Sequence, residues 1–478
     1  MSTRSVATPH ALLSFGNAQR DVTPPIGIFH RFWGAATHDV ASGVHRPIRA
    51  MATAFAGYED KQRLALVLVT IDHCLLRPDD MEWLRDKVMQ QSDVDANCPL
   101  VFSWGHTHSG GHICRHRTEQ PGGELIAPYL DVLAEKTAET VRDAIADLTP
   151  ARATFASASS RMGAHRDFQD PADGRYVCGY NPDQPLDLPV QVARFRADDG
   201  RELGSIVTYP CHPTTLAWEN TLISPDYPGA LRETVEMETG APCQFLLAPC
   251  GDIGPRHGFV GDTRVADDNG RQVGHAALAA WHSLSRAEGD FEYLGSVLSG
   301  ATLGEWRYRG WGDRDNSALA HQHFVVHLPY RTDLRKPDEV AAEIAEWDAR
   351  SQEPADGQPD RAGVPRAMAE RCRREWERLA PLPSGDVYPL RVDLLRLGDA
   401  YLVLVEGEPY FQLMADLEAA FPDKMILVGV LSEGSRCSYL PTQDSYLRPL
   451  YQVDVSLLES GCLERLRDEI INRISAAQ

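Results

Sequence analysis

The chain has 478 residues, 43% hydrophobic and 24% charged, as in a globular protein with a sizeable core. Its 68 acidic against 47 basic residues leave a net charge of −21, which makes nucleic acid and anionic membrane surfaces poor partners. No run approaches the roughly 20 apolar residues that span a bilayer, so no stable membrane association is expected.

Met1 to Phe15 carries one arginine and no apolar segment of secretory length, which predicts a cytoplasmic location. The 10 cysteines form no Cys-x-x-Cys pair and read as reduced thiols. After a Thr23–Gly27 turn, the apolar run Leu64 to Ile71 predicts a buried strand ending in Asp72 and His73. That polar pair either lines a site or caps the next helix, a task Asp79 and Asp80 can also perform. Pro99 to Phe102 predicts a second strand, leading into Ser103-Trp104-Gly105-His106-Thr107-His108-Ser109-Gly110-Gly111-His112. A His-x-His pair at a strand end, followed by glycines that admit close backbone approach, is suited to a transition metal.

Ile126 to Leu148 repeats apolar residues at helical spacing. Short strands follow at Ala153 to Ser157, Pro189 to Phe195 and Gly204 to Cys211, the last delivering His212. Helices are predicted over 229–238 and 264–283, with an apolar strand, Phe245 to Ala248, running into Cys250-Gly251-Asp252-Ile253-Gly254-Pro255. Residues 333 to 384 are charge-rich, with helical spacing over 340–347 and 366–379 joined by a loop from Glu353 to Pro365. They read as an inserted helical hairpin: a lid, an oligomer contact or a solvated decoration. Leu390 to Leu397 and Tyr401 to Val405 resume strand character, the second ending in Glu406-Gly407-Glu408, and Met425 to Leu431 leads to Tyr439. A helix over 457–474 closes the chain. The expectation is an α/β fold in one domain spanning 1–478: a mixed sheet flanked by helices, with its site at strand C-terminal ends.

The stretches His106-Thr107-His108-Ser109-Gly110, His212-Pro213-Thr214, Gly251-Asp252-Ile253-Gly254-Pro255, Gly407-Glu408, and Tyr439 with Tyr451 resemble the neutral ceramidase family of zinc-dependent amidases. Asp21-Val22-Thr23-Pro24-Pro25 belongs to the same pattern, and the likeness runs over about 17–455 with 333–384 poorly matched. The resemblance implies one zinc per chain, held by His106, His212, Glu408 and Tyr439, an N/O set suited to a catalytic metal. Manganese, iron or nickel also suit imidazole. His108 would hydrogen-bond or transfer a proton beside the metal, and Tyr451 and Arg166 would contact the reacting amide. Asp252 would relay a proton or hold its own loop. Glu406 is expected to face the other side of its strand, solvated or behind the ligands.

Where the family has a serine, this chain has Gly254, which excludes covalent serine chemistry at that position. The expected reaction is therefore direct attack by zinc-bound water on a carbonyl, since zinc brings the pKa of bound water toward ~7. The family also carries a C-terminal β-sandwich domain, and this sequence reaches Gln478 without one. Together with the charge, that points to a small soluble substrate rather than ceramide, and allows a homo-oligomer. Ester or lactone hydrolysis and a non-catalytic zinc-containing binding protein are the alternatives. A metallo-β-lactamase would place Asp-His after its His-x-His, where this chain has Ser109-Gly110, and TIM-barrel amidohydrolases carry the pair on their first strand.

Overall fold

The computed structural model describes residues 4–92, 94–95, 98–284, 288–311, 316–352, 363–434 and 437–477. The expected loop from Glu353 to Pro365 falls largely outside them. Eight strands, β1 (His10–Asp21), β2 (Arg49–Ala56), β3 (Leu64–Ile71), β4 (Leu100–Trp104), β5 (Thr149–Ser160), β6 (Leu188–Ala197), β7 (Glu202–Tyr209) and β8 (Cys243–Leu247), form one mixed sheet. Its order is β8-β7-β6-β5-β1-β2-β3-β4. The outer pairs β3/β4 and β7/β8 are parallel and the inner pairs antiparallel. Each parallel pair needs a crossover, supplied by helices α1 (Pro78–Ser92) and, further along the chain, Tyr227–Thr239.

Side-chain alternation gives every strand of this sheet two apolar faces. Val67, Val69 and Phe102 point toward α1, α2 (Ile126–Ala146), α3 (the crossover Tyr227–Thr239) and α4 (Thr263–Ser283). Leu66, Leu68, Phe15 and Phe195 point the other way, onto a second sheet. That sheet, β9 (Leu319–Pro329), β10 (Val387–Leu397), β11 (Ala400–Val405) and β12 (Met425–Gly429), presents Leu395, Leu402, Leu404 and Leu427 to the first. Its far face is covered by α7 (Gln412–Ala420) and α8 (Cys462–Ala476). Between β9 and β10 lie α5 (Pro337–Ser351) and α6 (Val364–Leu379). The sandwich is therefore helix, sheet, sheet, helix: a mixed sheet flanked by helices, as expected, with a second sheet that the sequence pattern did not separate from the first.

The large sheet curls. Gln244 on β8 accepts from Thr53 (2.6 Å) and donates to Thr70 (3.1 Å), bringing the far edge back over β2 and β3. The segment after β12 closes the gap: Val430 N donates to Leu247 O (2.9 Å) and Glu433 N to Phe102 O (3.0 Å). The ends of β4, β8 and β12 thus converge, and the residues following them meet. Among the described residues no helix is long and apolar enough to cross a membrane, and all 10 cysteines are free.

Two buried imidazoles give the fold an acid-sensitive element. Burial pushes His30 and His73 down to about 4. An unfolded histidine titrates near 6.5, so between pH 6.5 and 4 the unfolded chain binds protons the folded one refuses. Stability therefore falls as pH falls through that window, by up to about 3 kcal/mol per histidine. Thermal midpoints at pH 7 and pH 5 should differ by less in His30→Asn than in the wild type; an equal drop would contradict this assignment.

Candidate metal centre and active site

Strand β4 ends at Trp104, and His106 follows in the left-handed region with φ +64°. A non-glycine residue there carries strain, which the surroundings must over-determine. They do so through a backbone bond from His106 N to His73 O (2.8 Å) and a ring Nδ1 set 3.0 Å from Cys74 O. A carbonyl can only accept, so Nδ1 carries the proton and Nε2 presents its lone pair. His212, beyond β7, repeats the arrangement, with Nδ1 2.7 Å from Cys250 O and 3.1 Å from Ile253 O.

Both Nε2 atoms face the same carboxylate oxygen. Glu408 Oε2 lies 3.0 Å from His212 Nε2 and 3.4 Å from His106 Nε2. Glu408–Pro409 pairs in parallel with Tyr439–Leu440, which brings Tyr439 alongside. This junction depends on Gly251, where an added Cβ would lie 2.5 Å from Glu408 O.

The donor atoms of His106, His212 and Glu408 all fall within 4.8 Å of one another, a two-nitrogen, one-oxygen set that fits a divalent cation with a further position open. Cys74, His106 and His108 form a second such group. The first is the better site, because His106 Nδ1, the ring atom nearest Cys74, is already committed to a carbonyl. Burial alone would lift the Glu408 carboxyl, yet His106 and His212 outweigh it and hold it well below its ordinary range. Burial pushes His212 down to about 4, with Arg166 adding to the effect. His106 is also lowered by burial, but the Cys74 and Glu408 side chains more than compensate and raise it well above its usual value. The second proton that this favours, on Nε2 facing Glu408, is the one a metal would displace.

His108 is half-buried, with both ring nitrogens hidden and without a hydrogen-bond partner. Its ring packs 4.4 Å from Phe32 and 5.1 Å from Trp33. Burial, reinforced by His106 and His212, holds it well below its ordinary value and neutral. The buried Tyr439 ring lies 6.2 Å from that of His212 and 5.9 Å from that of Tyr451. Arg166 stands over the Tyr439 ring at 5.4 Å and donates from Nη2 to Gly251 O (2.6 Å). Asp252 Oδ1 accepts from Phe411 N (2.8 Å) and Oδ2 sits 3.3 Å from His165, so the carboxylate ties its loop to the start of α7. At Gly254 a Cβ would meet Arg166 at 3.7 Å, an ordinary contact. The position has room for a larger residue, so what glycine removes is a hydroxyl rather than a clash.

A cavity of about 110 Å³ opens beside these groups, lined by His106, His108, Glu408, Tyr439 and Tyr451. Phe32, Arg77, His112 and, from α6, Arg374, Glu377 and Arg378 also line it. Apart from His112, which closes the His-x-His stretch, none of these was singled out from the sequence. The readable signal was the charged stripe of α6, in which Arg374 and Arg378 stand one helical turn apart. The helix is docked by Arg117, which binds Glu370 (2.9 Å) and Glu377 (2.8 Å). Asp72 and His73 neither line the cavity nor cap a helix: Asp72 binds Arg232 and His73 binds Tyr129. Glu406 faces away from Glu408 as expected but is buried rather than solvated, accepting from Tyr388 OH (2.9 Å).

A curled α/β sandwich that gathers imidazole and carboxylate donors from separate strand ends, next to a cavity, defines a protein with a candidate catalytic metal centre. No protein-family model matches the chain. A neutral ceramidase of Oryza sativa subsp. japonica is 24% identical over 268 residues, 51% of this chain and 31% of that protein's length. The neutral ceramidase structure from Pseudomonas aeruginosa superimposes with a TM-score of 0.63 at 15% identity, covering 97% of this chain and 74% of the other. A ceramidase complexed with C2 gives a TM-score of 0.62 with the same identity and coverage. The chain is thus similar in sequence to a neutral ceramidase over about half its length, and similar in fold to neutral ceramidase structures over nearly all of it.

Proposed function

We propose that the protein is a metal-dependent hydrolase of an amide bond in a small soluble substrate. The observation that carries this reading is the convergence of His106 Nε2 and His212 Nε2 on Glu408 Oε2 beside an open cavity. His106, His212 and Glu408 would hold zinc, with the Tyr439 hydroxyl, braced by Arg166, as the remaining protein donor. Bound there, zinc supplies Lewis-acid polarisation and acidifies water. Tyr451 donates a hydrogen bond to the carbonyl oxygen as charge builds on it. His108, neutral and unengaged, accepts a proton and delivers it to the departing nitrogen. Asp252 holds the Gly251 loop in place. Gly254 has no hydroxyl to acylate, so the acyl group is not passed to that residue. Esters and lactones undergo the same chemistry and belong in the assay. The net charge of −21 and ten free thiols favour a cytoplasmic setting, and one domain over 1–478 is the reading we keep, with Arg374, Glu377 and Arg378 of α6 lining the cavity.

Elemental analysis of the wild type beside a His106→Ala, His212→Ala double variant tests this. About one zinc per chain, lost in the variant, together with turnover that chelation removes and zinc restores, is the expected result. A wild type that takes up no metal when zinc is supplied rules the mechanism out.

A further inference from the structure

The cavity next to the proposed metal centre is lined by a guanidinium that makes no ion pair among the described residues. Arg378 on α6 lines that cavity and also a larger one of about 430 Å³ adjoining it. Its Nε is shielded from solvent without a hydrogen-bond partner, and among the described residues it makes no ion pair. Arg374, one turn earlier, contacts Glu370 through Nε (3.2 Å), while its buried Nη2 has no partner. None of the neighbouring carboxylates pairs with Arg378 among the described residues. Glu375 pairs with Arg335 (3.1 Å), Glu370 and Glu377 with Arg117, and Glu408 with the two histidines. Arginine does not escape by losing its proton. A half-buried guanidinium without an ion-pair partner is costly unless an anion arrives to meet it.

In the larger cavity Arg331 pairs with Asp333 (2.7 Å) and Arg335 with Glu343 (2.6 Å) and Glu375 (3.1 Å), while Arg371 makes no ion pair among the described residues. The cavity lining holds Asp333, Glu370, Glu375 and Asp454 beside five arginines, a slight basic excess on a chain whose net charge is −21, and an anionic ligand meets that excess at Arg374 and Arg378. The cavity's volume suits the body of a small organic molecule.

We propose that the substrate carries an anionic group, of which a carboxylate close to the scissile amide is the simplest form, bound by Arg374 and Arg378. The amide then lies over His106 and Glu408, and the rest of the molecule occupies the larger cavity. Guanidinium and carboxylate make paired, charge-assisted hydrogen bonds, which fix orientation as well as add affinity. The inference rests on the hydrolase reading for its kinetic arm alone.

The test compares N-octanoylglycine, its neutral analogue N-octanoylglycinamide, and O-phospho-N-octanoylethanolamine with the zinc-loaded wild type. At least a tenfold higher kcat/KM for an anionic compound over the glycinamide is expected, and the better of the two anions identifies the group. Arg378→Gln and Arg374→Gln should each bring that ratio toward one. Equal or better use of the glycinamide by the wild type overturns the inference while leaving the hydrolase reading intact. If no amide is cleaved at all, calorimetric binding of the same compounds to the wild type decides: tenfold tighter binding of an anion supports the inference, and equal binding overturns it. The wild-type comparison stands even if a variant fails to fold.

Discussion

Glu408→Gln is expected to remove the metal and, with it, turnover. Two buried imidazoles present their Nε2 atoms to one oxygen of Glu408, and those two rings hold its carboxyl ionised in spite of burial. An amide occupies nearly the same volume but carries no charge, and its NH2 donates where the carboxylate only accepts. The variant should therefore fold, keep its cavity, and bind zinc far more weakly. A fall from about one zinc per chain to below roughly a tenth, with turnover reduced on the order of a thousandfold, is the anticipated outcome for loss of a ligand to a catalytic metal. Glu408→Asp keeps the charge but shortens the reach, and should retain part of both. If Glu408→Gln binds zinc as the wild type does, Glu408 is not a ligand and the centre must be reassigned.

Asp72→Ala should cost more stability than any substitution at the candidate site. Asp72 makes two contacts of 2.5 Å with Arg232 on α3 and accepts from Arg49 N at 2.9 Å, all away from solvent. Removing the carboxylate leaves a buried guanidinium unpaired, which costs about 3–5 kcal/mol. Denaturant unfolding should register that loss, and adding Arg232→Met to the alanine variant should recover part of it, because the orphaned charge is then gone. An alanine variant as stable as the wild type would show the pair to be incidental. The position also bears on the site: two residues later, Cys74 O orients His106.

The strand ends that carry the candidate donors were legible because each combines a short buried apolar run with an abrupt polar residue. Leu64 to Ile71 is β3 without adjustment, and β4 and β7 deliver His106 and His212 as their spacing implied. Strand β2 was not legible: Arg49–Ala56 is rich in alanine, a helix former, and is a strand because β1 and β3 flank it on both sides. The hairpin of Gly289–Ser299 with Ala301–Gly310 also escaped notice, its exposed faces lacking a clean apolar alternation.

What the sequence determined by itself was local: which runs become strands and helices, and which carry histidine, carboxylate or phenol at their ends. The period of a hydrophobic pattern and the identity of the residue after it are properties of adjacent positions, and they survive without a fold. Tertiary structure alone decided the curl that returns β8 to β2 and β3 through Gln244, the second sheet beneath, and the docking of α6 on Arg117 that sets Arg374 and Arg378 beside the cavity. Those depend on contacts between residues hundreds of positions apart. Whether a carboxylate becomes a ligand, as Glu408 is placed to be, or a clamp, as Asp72 is, depends on which charged group lies opposite in space.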